Sequence, residues 1–514
     1  MSTITKNRIV YDHNDWIGGL VPQYGEGFPI LFNGLDISIS FNPFRNLGYA
    51  SPGLGSDAVT NVSEITGVLR KGVIGSATLA YAVGGTDLNE ITISTSAIIN
   101  DGDFPHEISA TTAALDCIKY NDGTNDFIYY SWNDGTNGDI GRYQLGTSTF
   151  DDTYWDTTLS QTALSKAYEH PIVVGDDDVL YFGDGNVLKS IDQTTANDNA
   201  LTLPRDKEII SFAKLGNNTL VIFAHNKINS QTINYGGTVT AYFWDYLNSD
   251  PYRVERMEGG LCGGAFEYKG TIGVFTSGIS SDFNDKFRNT KMFLYNGSEF
   301  EEQFAITLNG GLNAEVPLSG GIEVLGSFIM FNLGGVLYSY GSPFIGIKGG
   351  LHQLANVNST GKSGMLKTFL SGSQLMSSDD TGNTRLLLFN AGKFITNTNI
   401  RTTYAEPFFE TGTRGKVTKV RVEYYDIVPG STGAFGVSLD LDLRDRDGTT
   451  INVINDKFTN SKLTEDHYSD TNGGTFKQFD SLQLNLNWGS GDLDTKALQI
   501  RKVIVDFELV NISN

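Results

Sequence analysis

The sequence contains few cysteines, few prolines and no long hydrophobic run. Its 514 residues include two cysteines, Cys117 and Cys262, without a CxxC or Cys/His spacing, so neither a disulfide framework nor a zinc site is expected. No stretch approaches the roughly 20 apolar residues of a membrane-spanning helix, and the opening MSTITKNRIVYDHND lacks the apolar core of a secretory signal. We therefore expect no membrane insertion, and synthesis in the cytoplasm.

Positive charge is also in deficit. The chain has 37 Lys and Arg against 59 Asp and Glu, a formal net charge of −22, and no basic cluster stands out. Such a surface repels phosphate backbones, which argues against sequence-specific nucleic-acid binding. The same charge is compatible with the wall of a channel along which a polyanion slides without sticking.

Glycine and apolar residues are well represented. The 59 glycines, with many Asn and Asp, supply tight turns, and the 39% of hydrophobic residues can form a large core. This composition is typical of an all-β protein. A chain of this length is longer than a single hydrophobic core usually accommodates, so at least two domains are expected.

A short phrase recurs from about residue 65 to residue 398: an apolar strand, a Gly/Asn/Asp turn and a second strand. The apolar runs are Thr78–Tyr81, Phe127–Tyr130, Val179–Phe182, Thr219–Phe223, Thr271–Phe275, Ser327–Phe331 and Gln374–Met376. Their spacing of roughly 40 to 56 residues is the length of a four-stranded propeller blade. We predict an irregular β-propeller of about six to eight blades with these runs as inner strands; stacked β-sandwiches are the alternative.

The two flanks of this region are patterned differently. Residues 401–514 alternate apolar and polar positions, as in Lys416–Tyr424 and Phe435–Leu443, which predicts an antiparallel β-sandwich. Residues 1–62 lack steady periodicity and are interpreted as an extended N-terminal arm, or else an irregular lead-in. The predicted domains are thus 1–62 (arm), 63–400 (β-propeller) and 401–514 (β-sandwich).

No constellation of residues assigns a catalytic, cofactor-binding or metal-binding site. Asp-rich turns are the strongest local signal, and we interpret them as hairpin turns and solvated strand faces rather than calcium loops: Asn121–Gly123, Asp176–Asp178, Asp440, Asp442, Asp445 and Asp447. Six scattered histidines have no ligand or nucleophile spacing and are expected to be structural: His13, His106, His170, His225, His352 and His467.

Two chemical alternatives stay open. Paired carboxylates in a propeller pocket would suit a glycosidase. Trp132, Trp155, Trp244 and Trp488 would suit sugar stacking, although core packing is the common role of such residues. On this evidence we expect that the chain is not an enzyme and has no cofactor.

In overall plan the chain resembles tailed-bacteriophage virion proteins of the tail nozzle or tail hub type. The segments that carry this resemblance are YDHNDWIGGLVPQYGEG, GLDISISFNPFRNLGYASPG and the junction from Arg401 through Phe408–Gly412 to Lys416–Val422. The resemblance implies a structural component of the virion tail, made in the host bacterial cytoplasm. It also implies a ring of copies, a hexamer by the nozzle analogy, whose channel passes DNA and which contacts neighbouring tail proteins. The alternative is a carbohydrate- or receptor-binding propeller of a tail tip, or a secreted lectin.

Overall fold

The computed structural model shows a nearly all-β chain. It describes residues 9–13, 35–39, 54–58, 69–93, 97–108, 113–216, 218–227, 238–278, 287–309, 317, 319–333, 336–341, 349–356, 365–369, 374–379, 385–394, 398–402, 413–426, 437–444, 450–458, 464–468, 478–488 and 498–511.

Seven sheets, which we number as blades one to seven, follow each other along the chain. Blade one contains β4 (Leu69–Ile74), β5 (Leu79–Gly84), β6 (Asp87–Thr92) and β7 (Ala97–Ile98), with β8 (His106–Glu107) also paired to β6. Blade two contains β9 (Ala113–Asn121), β10 (Asp126–Asn133), β11 (Gly138–Gln144) and β12 (Phe150–Asp151). Blade three contains β13 (Ile172–Val174), β14 (Leu180–Asp184), β15 (Val187–Asp192) and β16 (Thr195–Thr202). Blade four contains β17 (Lys207–Leu215), β18 (Thr219–Asn226), β19 (Thr238–Trp244) and β20 (Arg253–Glu258).

The remaining three blades keep this order. Blade five contains β21 (Leu261–Tyr268), β22 (Thr271–Gly278), β23 (Phe287–Tyr295) and β24 (Phe300–Asn309). Blade six contains β25 (Ile322–Leu325), β26 (Phe328–Leu333), β27 (Val336–Gly341) and β28 (Gly350–Asn356). Blade seven contains β29 (Met365–Phe369), β30 (Gln374–Asp379), β31 (Arg385–Phe394) and, from the start of the chain, β3 (Leu54–Ala58).

The first strands of the blades form a closed ring. Each of β4, β9, β13, β17, β21, β25 and β29 contacts the next, and β29 contacts β4 again. This closure makes the seven sheets a β-propeller, so the predicted fold class is confirmed, and seven blades fall within the predicted six to eight.

The repeated apolar runs lie in the second strand of every blade rather than in the innermost strand. In β18, for example, seven of the eight residues are buried, whereas the inner strand β17 alternates buried and half-buried positions. A second strand has a hydrogen-bonded neighbour on both sides and a blade packed on both faces, which is why its sequence is continuously apolar. The prediction that these runs are the inner strands was therefore wrong, because each run is the strand next to the inner one.

A conservative truncation in such a second strand should have a measurable cost. Ile222 is fully buried, so Ile222→Val is expected to lower the free energy of unfolding by about 0.5–1.5 kcal/mol through a lost methylene and a small cavity. Val254→Ala is the matched control, because Val254 is 48% exposed in the outer strand of the same blade. Denaturant unfolding of the two variants would show equal shifts only if β18 were not packed as described.

A short 3-10 turn (Ser319–Gly321) crosses the axis of the propeller. It contacts the inner strands of blades one, five and seven, and Pro317 accepts a hydrogen bond from the backbone N–H of Gly264 at 2.7 Å. Gly320 packs so closely that a Cβ atom there would lie 1.8 Å from the carbonyl oxygen of Arg70. The described residues Pro317 and 319–321 therefore obstruct the axial opening at this level.

Two further five-stranded sheets contain the C-terminal strands. One runs β1 (Ile9–His13), β39 (Leu498–Asn511), β33 (Thr413–Asp426) and β36 (Thr464–His467), with β37 (Gln478–Phe479) paired to β33. The other runs β2 (Leu35–Ile39), β32 (Thr398–Thr402), β38 (Ser481–Trp488), β34 (Val437–Arg444) and β35 (Thr450–Phe458). Alternate residues such as Val420, Val422, Leu441 and Leu443 are fully buried, which gives each sheet one apolar face.

The chain forms two compact units whose limits differ from the three predicted segments. One unit comprises 57–337 and 357–388, and the other comprises 1–56, 338–356 and 389–514. Strands β1 and β2 of the N-terminal region pair with β39 and β32, so this region contributes strands to the C-terminal sheets. Isolated strands of this kind have no partner nearby in sequence, and their partners cannot be read from local pattern.

Candidate binding cleft between blades four and five

A cleft of about 700 Å³ opens between the turns of two neighbouring blades. One wall comes from the turn between β17 and β18 and the loop between β19 and β20; the other comes from the β21–β22 and β23–β24 turns. The turns of the two blades leave this space between them.

Tyr252 provides an exposed aromatic surface in the cleft. Its side chain is 56% exposed, although its backbone N–H donates to the carbonyl of Phe243 at 2.9 Å. The phenol oxygen lies 3.0 Å from the hydroxyl of Thr219, and the ring centroid lies 6.3 Å from that of Phe243. These contacts hold the ring in place while leaving much of it open.

Arg253, the residue after Tyr252, reaches across to the opposite wall. Its guanidinium donates to the Tyr295 hydroxyl at 2.6 Å, to the Glu255 carboxylate at 2.7 and 2.9 Å, and to the Ser298 carbonyl. The hydrogen bonds to Glu255 are the main cause of the raised pKa of Arg253. Its charge is therefore balanced by Glu255, and the Arg253 side chain is 32% exposed.

The polar groups at the rim are already used to shape the turns. Asp245 accepts the backbone N–H groups of Leu247 at 3.1 Å and Asn248 at 3.0 Å, and these bonds lower the pKa of the Asp245 carboxyl. Asn296 accepts from Ser298 N at 2.8 Å in the same way. Of the described residues that line the cleft, Asp245 is the one carboxylate and none is Lys, Arg or His.

The Asp-rich segments that are described form turns. Asp122 accepts the backbone N–H groups of Thr124 at 3.0 Å and Asn125 at 2.9 Å. Asp177 accepts from the Tyr181 hydroxyl at 2.7 Å, and Asp176 pairs with Lys214 at 3.4 Å. Across the described ranges, no three His, Cys, Asp or Glu side chains are grouped as a metal site would require.

The acidic positions of the C-terminal region are only partly described. Asp442 is half-buried and points to the other face of the strand from Leu441 and Leu443. Its cross-strand partner in β38 is the buried Gln483. Asp445 and Asp447 lie outside the described residues.

The four histidines with described side chains lie in different parts of the propeller. His106 contacts Asp152 at 2.9 Å, and His170 contacts the Gly183 carbonyl at 3.0 Å. His225 accepts the backbone N–H of Cys262 at 3.0 Å, and His352 is fully buried. The side chains of His13 and His467 lie outside the described set.

The cysteines and the described tryptophans are core residues. Cys117 and Cys262 are buried free thiols, and burial raises the pKa of each to about 12. Trp132, Trp155 and Trp244 are at most 7% exposed and therefore present no sugar-stacking surface. The side chain of Trp488 lies outside the described residues.

One acidic pair was not found by sequence reasoning. Asp139 in β11 is 1% exposed and accepts the backbone N–H groups of Ile140 at 2.7 Å and Trp155 at 3.2 Å. Burial, and then the neighbouring carboxylate of Asp156, raise the pKa of Asp139 to about 8. The carboxyl groups of Asp139 and Asp156 are hydrogen-bonded to each other. They are therefore closer than the roughly 5 to 10 Å that separate the two carboxylates of a glycosidase, and the pair does not fit the glycosidase mechanism.

Fold and cleft together define a seven-bladed β-propeller protein with an additional β-sheet unit and an open inter-blade cleft. No protein-family model matches the chain, and no curated protein matches it. Among solved structures, it is similar to the extracellular domain of the hybrid two component system BT3049 from B. thetaiotaomicron, with a TM-score of 0.45 and 11% identity. That match covers 84% of this chain and 58% of the other, so the chain spans little more than half of that structure.

Two other similarities are of the same order. BamB from Moraxella catarrhalis gives a TM-score of 0.35 and 12% identity over 70% of this chain and 95% of that one. A fructofuranosidase from Schwanniomyces occidentalis, complexed with fructosylnystose, gives a TM-score of 0.30 and 8% identity over 92% of this chain and 100% of that one. At this level of similarity they concern the fold alone.

The expectation that the chain is not an enzyme was wrong. Structures it resembles include a glycoside hydrolase and fructofuranosidases, which are enzymes. The missing sequence motifs could not exclude catalysis, because a propeller can bring catalytic side chains together from separate strands, and function is set by the site rather than by the fold.

The described helical segments are short. None of them has the length and apolar composition of a membrane-spanning helix.

Proposed function

We propose that this chain is a structural subunit of a bacteriophage tail, of the nozzle or hub type. The observation that carries the proposal is the plan of the chain: a propeller whose last blade is completed by the N-terminal strand β3, followed by sheets that take up β1 and β2. This plan agrees with the resemblance to tail proteins. The proposed location is the virion tail, after synthesis in the host bacterial cytoplasm.

The axis of a single propeller is an unsuitable DNA path. The segment at Pro317 and Ser319–Gly321 crosses it, and Gly320 is packed directly against the backbone of Arg70. A channel would therefore have to form between several copies of the chain, which is why we propose a ring, of six copies by the nozzle analogy. The net charge of −22 would keep such a wall from gripping DNA.

The mass of the purified chain tests this proposal. Light scattering is expected to give a multiple of 56.0 kDa that persists on dilution, and mass spectrometry of the phage particle should detect several copies. Images of the oligomer should show a central opening wider than a DNA duplex. A single-chain mass at every concentration, together with absence from particles, would contradict the tail role.

Carbohydrate or receptor binding is the second candidate, and one specific observation favours it. The cleft between blades four and five presents the exposed ring of Tyr252. A tail tip or a secreted lectin would use such a surface to contact glycans.

A further inference from the structure

The cleft between blades four and five has the dimensions of a ligand site. Its volume of about 700 Å³ lies within the roughly 300–1,000 Å³ range of small-molecule pockets. It is open to solvent along the blade ends, so a chain longer than one unit could extend out of it.

Tyr252 gives the cleft a fixed aromatic platform. An exposed aromatic ring is normally a mobile group, yet this one is held by the Thr219 hydroxyl and by its own backbone hydrogen bond to Phe243. A ligand that stacks on it therefore loses little additional entropy in ordering the protein. The apolar C–H face of a pyranose ring matches such a surface.

The charges of the cleft select against ionic ligands. Arg253 is paired with Glu255 at 2.7 Å, and Asp245 is engaged by the N–H groups of its own turn. A phosphate, sulfate or carboxylate would find no free cation, and an ammonium would find one carboxylate that is already hydrogen-bonded. Neutral hydroxyls are the groups that this lining accommodates.

The rim leaves room for a ligand close to the backbone. Gly216 is exposed, and a Cβ atom added there would meet no atom within 4 Å. Gly270 and Gly297 are equally open on the other wall. Backbone groups at these turns can therefore approach a bound sugar without side-chain obstruction.

We propose that this cleft binds a neutral saccharide unit, with one pyranose ring stacked on Tyr252. The proposal deepens the second candidate function by naming the site and the ligand class. It is independent of the tail role, because a ring subunit and a monomeric lectin could both carry this cleft.

Binding of neutral hexasaccharides to the full chain tests the proposal. The probes are maltohexaose, cellohexaose and mannohexaose, with a heparin-derived hexasaccharide as the anionic comparison, measured by calorimetry and saturation-transfer NMR. We expect at least one neutral probe to bind and the heparin probe not to bind. Tyr252→Ala should weaken binding about tenfold or more, which corresponds to about 1.4 kcal/mol.

Three other variants sharpen the test. Tyr252→Phe keeps the stacking face and should lose less than Tyr252→Ala. Gly216→Trp should fill the cleft and abolish binding; Gly102→Trp is its control, because Gly102 is also exposed with no atom within 4 Å of an added Cβ. Tyr468→Ala is the control for Tyr252, because Tyr468 is 67% exposed in the other compact unit.

Either of two results would overturn the proposal. One is that no neutral hexasaccharide binds, whether or not the heparin probe or a peptide does. The other is that binding survives both Tyr252→Ala and Gly216→Trp in variants whose thermal unfolding matches the unmodified chain. Neither result bears on the mass measured by light scattering, so failure here is distinguishable from failure of the tail proposal.

Discussion

Asp139→Asn is expected to stabilise the protein, and the gain should grow with pH. The pKa of Asp139 is raised from 3.8 to about 8 in the folded chain. Between these values the folded state retains a proton that the unfolded state has lost, so the free energy of unfolding falls as pH rises, by at most about 1.4 kcal/mol per pH unit. The penalty is complete above pH 8 and absent below about pH 4.

An asparagine escapes this penalty while keeping the hydrogen bonds. Its carbonyl can accept the N–H groups of Ile140 and Trp155, and its amide can donate to Asp156 where the protonated carboxyl did. We expect a gain on the order of 2–4 kcal/mol at pH 9, smaller at pH 7 and near zero at pH 4, since local relaxation reduces the upper bound.

Hydrogen exchange around β11 and Trp155 should report this gain, because a chain of two units need not unfold in one step. Asp134→Asn is the matched control in the same blade. Backbone hydrogen bonds from Asn137 and Thr136 lower the pKa of the Asp134 carboxyl, so the substitution should give a small effect of opposite sign. An equal gain from Asp139→Asn at pH 4 and pH 9 would show that ionisation of the pair is not the cause.

Gly320→Ala is expected to be the most damaging single-methyl addition among the described residues of the propeller axis. The added Cβ would lie 1.8 Å from Arg70 O and 2.8 Å from Lys71 Cα, and backbone atoms cannot move aside as a side chain can. The turn would have to leave the axis, with loss of the Gly264–Pro317 hydrogen bond. The expected loss of stability is on the order of 3 kcal/mol or more.

Thermal unfolding and limited proteolysis would measure this effect. Gly102→Ala is the control, since an added Cβ there has no atom within 4 Å. The variant at Gly320 should melt earlier and be cut faster near the turn, while the control should behave as the unmodified chain. Unchanged melting of Gly320→Ala would mean that the turn is not packed across the axis as described.

The propeller could be predicted from sequence because its second strands are uniform in character. Runs such as Val179–Phe182 and Leu220–Phe223 are apolar throughout, since each lies within a sheet that is covered on both faces. The inner strands were harder to recognise because their buried positions alternate with half-buried ones, as in Leu69–Ile74. The alternation in Lys416–Tyr424 likewise predicted a strand with one buried face, as β33 has.

The candidate site could not be predicted, because its residues are distinguished only by their contacts with residues far away in the sequence. Tyr252 differs from the many buried tyrosines in exposure alone, which no local pattern records. Asp139 looks like an ordinary strand-end aspartate until the fold places Trp155 and Asp156 beside it. Gly320 looks like a turn glycine, and the neighbour that excludes a side chain there, Arg70, belongs to the first blade.

The position of β3 in blade seven has a consequence for synthesis. Leu54–Ala58 leaves the ribosome before any blade, but its hydrogen-bonding partner β31, Arg385–Phe394, follows almost the whole propeller. Such a long-range pairing forms slowly, and until it forms the seventh sheet keeps an open edge that can pair with other chains. Translation that stops before residue 385 should therefore yield a nascent product that needs chaperones, because β3 then lacks its partner strand β31.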